Sequence, residues 1–286
     1  MSWNQLTLDV PNELIDAIVG GLPADGIAGV WESPAQEPAS TRLVLYLSRR
    51  CNLDQVQAVV TSIFQRNEKN PPSISRAVVE DCDWSEEWKK SYTSFPIADS
   101  FFVIPSWENS PCPDDRLPIR IDPGQAFGTG THESTQLTME ALERWVEPRH
   151  VVLDVGTGSG ILAIASRLLG ATPIFACDID PVSPEVARAN FERNAAEDIH
   201  LFCGSLDAMK SNSVHLLLGN LTADVIISLF PEFHRVLSNH GVAILSGILK
   251  DQDEDLREVI ALYNFTVFEE ITQGEWLVLV VEKHGG

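Results

Sequence analysis

Polar and apolar residues alternate from Trp3 to Val10, the two-residue period of a half-buried strand, and the pattern turns helical from Asn12 to Leu22. Short β-rich runs follow at Ile27–Glu32 and Arg42–Ser48. A second helix is expected from Leu53 to Gln65, with Val56, Val59, Val60 and Ile63 on one stripe. Pro71-Pro72 separates it from a strand-like run at Ser73–Asp81. The order β-α-β-β-α-β predicts a small α+β, ferredoxin-like domain over residues 1–82.

Beyond it the pattern changes. Residues 84–92 read as a short charged helix, and Pro105, Pro111 and Pro113 forbid a long regular element between Pro96 and Pro118. Residues 83–118 are therefore expected to be a linker helix and a Pro-rich connection. From Val151 strands and helices alternate. Strands are expected at Val151–Val155, Pro173–Cys177, Leu201–Cys203, Val214–Leu218 and Gly241–Leu245. Helices are expected at Ile161–Leu169, Pro184–Asn194, Ala223–Leu237 and Asp251–Tyr263, before paired strands at Phe265–Glu270 and Trp276–Glu282. Such alternation predicts an α/β domain over 119–286, a doubly wound, Rossmann-like sheet of seven strands, mostly parallel, with a final hairpin.

The 286 residues suffice for two cores, and 44% hydrophobic with 21% charged residues excludes global disorder and a fibrous repeat. Lys+Arg 20 against Asp+Glu 41 gives a net charge of −21. It is spread as −3 over residues 1–75, −7 over 76–150 and −11 over 151–286, so no acidic tail accounts for it. Nucleic acid and anionic membranes would be repelled; a basic macromolecular partner fits, as does a plain solvated acidic surface. The five cysteines are odd in number and never spaced C-x-x-C, which suits a reducing cytoplasm and indicates neither a disulfide framework nor a metal cluster. No signal peptide or membrane-spanning run is evident.

Chemistry concentrates in the C-terminal half. The strand Val151–Leu153 runs through Asp154-Val155-Gly156-Thr157-Gly158-Ser159-Gly160 into a helix, and glycines there allow a tight turn and close approach of a ligand. D-x-G-x-G-x-G differs from the dinucleotide spacing by placing an acid first. That acid would repel a pyrophosphate but suits the cationic amino-acid end of S-adenosylmethionine. Asp178, at the end of the next strand, can accept hydrogen bonds from both ribose hydroxyls; Asp180 competes for that role and equally suits a helix cap.

Upstream, Asp122–Thr135 carries three glycines and several hydroxyls that could cover a ligand, with Phe127 packing on it, Thr135 contacting it and His132 serving as a base or an orienting group. Asn220, after Leu216–Leu218, could present its carbonyl to an amine or be an ordinary turn residue. Its N-L-T-A context lacks the N-P-P-[YF] of many amino-group methyltransferases.

Together the loop Asp122–Thr135, the segment Asp154–Gly160, Asp178–Asp180, Asn220-Leu221 and Ser246–Leu249 closely resemble the bacterial ribosomal protein L-eleven methyltransferase family. Trp84–Trp88, Pro105–Trp107 and Gly274–Trp276 add to the likeness, which covers nearly the whole chain after residue 80. The resemblance implies a methyltransferase domain behind a small domain that recognises the ribosomal protein. It implies transfer of methyl groups from S-adenosylmethionine to lysine and N-terminal amino groups. A cytoplasmic location, in keeping with the cysteine pattern, and a monomer are expected. The resemblance carries cofactor contacts over to Thr135, Gly156, Asp178 and Asn220, with Phe127, Gly128, Thr129, Gly130 and Thr131 as the covering loop; Gly158, in the same glycine segment as Gly156, is expected to join them. Catalytic roles fall to Asn220 and His132, and no metal is implied. Ser134 and Gly219 depart from the family's usual threonine and alanine. The competing expectation is an S-adenosylmethionine-dependent methyltransferase for RNA, DNA or a small metabolite.

Overall fold

A computed structural model describes residues 2–11, 14, 15, 18, 27–34, 40–48, 51–67, 69–80, 92–122 and 128–285. The chain divides into two compact units, Met1–Tyr92 and Thr93–Gly286.

The first unit is built on an antiparallel sheet of order β2-β3-β1-β4. Its strands are β1 (Ser2–Pro11), β2 (Ile27–Pro34), β3 (Ser40–Leu47) and β4 (Ser75–Glu80). Alternation sends Leu6, Leu8 and Val10 of β1 to one face beside Leu43, Leu45 and Leu47 of β3, with Leu6 opposite Leu45 and Leu8 opposite Leu43. Helix α1 (Leu53–Arg66) joins that core and begins under an Asn52 cap whose side-chain oxygen accepts from the Asp54 and Gln55 N–H groups at 3.1 and 3.3 Å. Its buried stripe is Val56, Val60 and Phe64; Val59 and Ile63, expected on that stripe, are half-buried at its flank because the exact i, i+4, i+8 row faces the sheet. Most of the helix expected at Asn12–Leu22, and residues 84–91 of the linker helix, lie outside the described residues.

The expected Pro-rich connection needs correction. Residues 93–118 belong to the second unit and contribute β5 (Phe95–Ile97), β6 (Phe101–Pro105) and the start of β7 (Leu117–Ile121). β6 lies in the middle, antiparallel to β5 and parallel to β7, so Pro96 and Pro118 sit on edge strands where a missing N–H can be tolerated. Phe101, Val103, Ile104, Ile119 and Ile121 are buried, which repays the ordering of these short strands.

The main sheet has the order β10-β9-β8-β11-β12-β14-β13. Its parallel strands are β8 (Val152–Val155), β9 (Ile174–Asp178), β10 (His200–Cys203), β11 (Val214–Asn220) and β12 (Leu237–Leu249). β14 (Trp276–Lys283) inserts antiparallel between β12 and β13 (Phe265–Gln273). Helices α2 (Glu133–Trp145), α3 (Ile161–Leu168), α4 (Ser183–Arg193), α5 (Ala223–Val236) and α6 (Asp253–Leu262) complete the unit. The chain winds outward through β8, β9 and β10, then returns to place β11 beside β8. Ligands of open α/β sheets bind beyond the strand ends at such a reversal. β12 exceeds the expected Gly241–Leu245 at both ends and shifts register between Leu245 and Ile248.

Candidate active site

A cavity of about 520 Å³ opens where β8 and β11 end side by side. The Gly156 and Thr157 N–H groups donate to the Cys177 carbonyl at 2.9 and 3.0 Å, and Gly160 N–H donates to the Thr157 carbonyl at 2.8 Å, folding the loop back before α3 begins. Two glycines are demanded here by space as well as dihedral angle. Gly156 has φ +70°, and a Cβ would lie 2.5 Å from the Leu221 side chain; Gly247, at the β12 irregularity, has φ +80°, and a Cβ would lie 2.4 Å from the Leu221 carbonyl. Leu221 is thereby wedged between the two strand ends, with its N–H donating to the Ser246 carbonyl at 2.9 Å, and Asn220 beside it is aimed at the cavity.

Asp178 is half-buried at the tip of β9. Its Oδ2 accepts from Gly158 N–H at 3.0 Å and its Oδ1 from Asp180 N–H at 3.0 Å, so it holds the glycine loop and still has lone pairs for a ligand. Asp180 also lines the cavity; its carboxylate accepts from Val182 N–H at 3.0 Å in a turn ahead of α4, but Val182 is the capping residue and no side chain caps the helix, so the cap role considered for Asp180 is not the one it takes. Asp154 departs from the role expected of it. It is fully buried behind the loop rather than among the lining residues, its Oδ2 accepts from the Thr157 hydroxyl at 2.7 Å, and its Oδ1 has no partner among the described residues. Burial pushes its pKa up to about 7, with the Thr157 hydroxyl and then the Ala163 backbone N–H opposing the rise and the Asp178 charge adding to it. Burial also pushes the neighbouring Cys177 thiol up to about 12, leaving it unreactive.

From the other side, α2 delivers Thr135, whose hydroxyl accepts from Asn220 Nδ2 at 3.3 Å. That bond turns the carboxamide so that Oδ1, an acceptor, remains for a ligand. His132 caps α2. Its Nδ1 accepts from Ser134 N–H at 3.2 Å, and because a main-chain N–H can only donate, the neutral ring carries its proton on Nε2. The ring meets Trp276 edge-on, with centroids 4.6 Å apart.

Of the residues singled out in the sequence, Gly128, His132, Thr135, Gly156, Gly158, Asp178 and Asn220 line one cavity. Thr129, Gly130 and Thr131 do not: Thr131 is exposed, its hydroxyl 2.8 Å from that of Thr129, and Gly130 is buried close to Ile161 and Phe95. Phe127 lies outside the described residues. Trp276, Thr222 and Val225 also line the cavity and were not foreseen as contacts. Among the described residues no group of three or more His, Cys, Asp or Glu could hold a metal ion, and no helix is long and apolar enough to cross a membrane.

A family model described as ribosomal protein L11 methyltransferase (PrmA) matches residues 3–284. The chain belongs to the ribosomal protein L11 methyltransferase family. A relative of that name from Anoxybacillus flavithermus is 30% identical, the alignment covering 99% of this chain and 100% of the relative. Another, from Streptococcus pneumoniae (strain Hungary19A-6), is 40% identical over 70% of this chain, which spans 64% of that relative's length. The solved ribosomal protein L11 methylase of Lactobacillus delbrueckii subsp. bulgaricus superposes with a TM-score of 0.63 at 36% identity, covering 68% of this chain and 100% of its own. This match shows the α/β methyltransferase fold with its mixed, seven-stranded sheet.

Proposed function

We propose that this member of the ribosomal protein L11 methyltransferase family transfers methyl groups from S-adenosylmethionine to lysine and N-terminal amino groups of ribosomal protein L11, as a cytoplasmic monomer. The observation that carries the reading is the Thr135–Asn220 bond at the mouth of the sheet, facing the Asp178 carboxylate across a cavity of about 520 Å³. The lining fits the donor. Asp178 would take the ribose hydroxyls, the Gly156–Gly158 backbone permits close approach of its amino-acid end, and Leu162 and Leu221 offer apolar contact.

When bound, S-adenosylmethionine supplies a methyl group already activated on a sulfonium, so alignment and desolvation of the target amine are the chief demands on the protein. Asn220 Oδ1 accepts an amine N–H and so aims the nitrogen lone pair. An ammonium has none, and the lysine must lose its proton before it can react. His132, with Nδ1 engaged by Ser134, is assigned as a cap and orienting group rather than the base, and the proton leaves to solvent. Trp276, Leu221 and Val225 restrict water around the amine.

We assign substrate recognition to residues 1–82. The sheet order β2-β3-β1-β4, with α1 between β3 and β4, supports a ferredoxin-like reading of that region. The net charge of −21 favours a basic protein over nucleic acid as the partner. The test is transfer of labelled methyl from S-adenosylmethionine to purified L11 and to RNA. Label is expected on L11 alone, and Asn220→Ala should lower kcat roughly 10- to 100-fold while changing donor Kd little, as befits a residue that aligns the amine. Label on RNA, or full activity in the variant, would overturn the reading.

A further inference from the structure

Asn190 on α4 is fully buried, and every hydrogen-bonding site of its carboxamide is engaged. Nδ2 donates to the Asp122 carbonyl at 3.1 Å and to the Ser159 carbonyl at 2.9 Å; Oδ1 accepts from Asp122 N–H at 2.9 Å and from the Arg193 guanidinium at 3.2 Å. Engaging both main-chain groups of Asp122 reproduces what a neighbouring strand does, just beyond the end of β7. Asn194 does the same for Arg120, accepting its N–H at 2.8 Å and donating to its carbonyl at 2.7 Å. Ser159, also fully buried, uses its hydroxyl elsewhere: Oγ donates to the Gly128 carbonyl at 2.6 Å. Asp122 and Gly128 are thus both tied to Ser159, one through Asn190 and the other directly.

Ser159 lies between Gly158, which lines the cavity and donates to Asp178, and Gly160, which caps α3. Gly128 opens the segment that carries His132 and Thr135 to the opposite wall, and Thr135 holds Asn220. We infer that Ser159 and Asn190 are positioning residues that lock the Gly128–Thr135 wall to the glycine loop, so that the loop contacting the methyl donor also sets the wall that aims the amine. A buried carboxamide with all its bonds satisfied is costly to disturb, so the link transmits displacement rather than absorbing it. The inference rests on the donor-binding role given to the cavity above.

The test uses the full chain with Ser159→Ala, which removes one hydroxyl bond and leaves the Asn190 contacts in place. Ser159→Thr keeps the hydroxyl. Ser166→Ala is the control, since it removes a buried hydroxyl bond to the Leu162 carbonyl within α3 that does not reach the wall. Three quantities are read: the Kd of S-adenosylhomocysteine by calorimetry, kcat at saturating donor, and hydrogen exchange at residues 128–131 without ligand. Ser159→Ala should exchange faster at 128–131 and bind about tenfold more weakly, because part of the binding energy must reorder the wall. It should keep kcat within about threefold once saturated, since the wall is then reordered. Ser159→Thr should restore all three, and Ser166→Ala should lower the melting temperature alone. If Ser159→Ala behaves like Ser166→Ala, or loses kcat without losing affinity, the positioning role is overturned. If the unaltered chain binds no S-adenosylhomocysteine, the donor reading falls instead, and exchange at 128–131 alone decides whether the mechanical link exists.

Discussion

Asp154→Asn isolates a carboxyl group whose folded and unfolded pKa values lie far apart. In the folded chain burial raises it from 3.8 to about 7, with no exposure to screen the effect. A raised carboxyl pKa means that the folded state holds the proton more tightly than the unfolded chain. Its stabilising contribution is therefore complete below the unfolded value and is lost as pH rises through the folded one. The slope in that window is about 1.4 kcal/mol per pH unit, so between pH 5 and 8 the unaltered protein should lose roughly 2–3 kcal/mol from this group alone. Asparagine resembles the protonated acid. Its carbonyl can still accept from Thr157, and its amide replaces the unpartnered Oδ1. An unsatisfied amide there would shift stability by about 1–3 kcal/mol, but equally at every pH. The assay is guanidinium unfolding at about pH 5, 6, 7 and 8, following the transition that S-adenosylhomocysteine moves. Other titrating groups are common to both proteins and cancel. The variant should gain on the unaltered protein by roughly 2–3 kcal/mol across the range. Parallel curves would refute the reasoning and place the Asp154 pKa near its ordinary value.

Asp178→Ala should weaken donor binding by ~1.5–3 kcal/mol, the worth of charged hydrogen bonds, with some further loss because Gly158 N–H gives up its acceptor; calorimetry that shows unchanged affinity would shift the ribose role to Asp180. Lys283→Met tests a buried ammonium that donates to Asn212 Oδ1 and to the His234 and Leu237 carbonyls at the end of α5, at 3.0, 2.7 and 2.8 Å. Leaving those acceptors without their donor should destabilise the second unit by ~1–3 kcal/mol in denaturant, with donor affinity unchanged, because none of these residues lines the cavity. A chain beginning at Thr93 should bind S-adenosylhomocysteine like the full chain yet lose most activity on L11 below saturation, because docking of the substrate elsewhere supplies the effective concentration of the amine. Equal rates for the two chains would remove residues 1–82 from recognition.

Local chemistry was enough to reveal most of the second unit. The strand–glycine–helix run at Val151–Ala165 needs only short-range information, since positive φ and a helix start are imposed within a few residues, and the alternation that follows announced a doubly wound sheet. Gly156, Gly158, Asp178 and Asn220 were legible for the same reason, each standing at a strand end that the pattern marks. The prolines of 96–118 misled because their effect depends on which edge of a strand faces a neighbour, and only the pairing of β5 and β7 to β6 decides that. Asp154 shows the same limit. Its spacing marks it as important, but whether a strand residue faces a cavity or the interior behind it depends on how β8 is covered. Trp276 reaches the site only because β14 inserts between β12 and β13, a long-range pairing that no window of sequence contains. Asn190 reads locally as one polar residue on an amphipathic helix. Its burial against Asp122 and Ser159, at sequence separations of 68 and 31 residues, arises from helix packing alone. Short-range steric rules and periodicity therefore determine which elements form and where the chain can bend, whereas the facing of each side chain depends on which neighbour finally covers it.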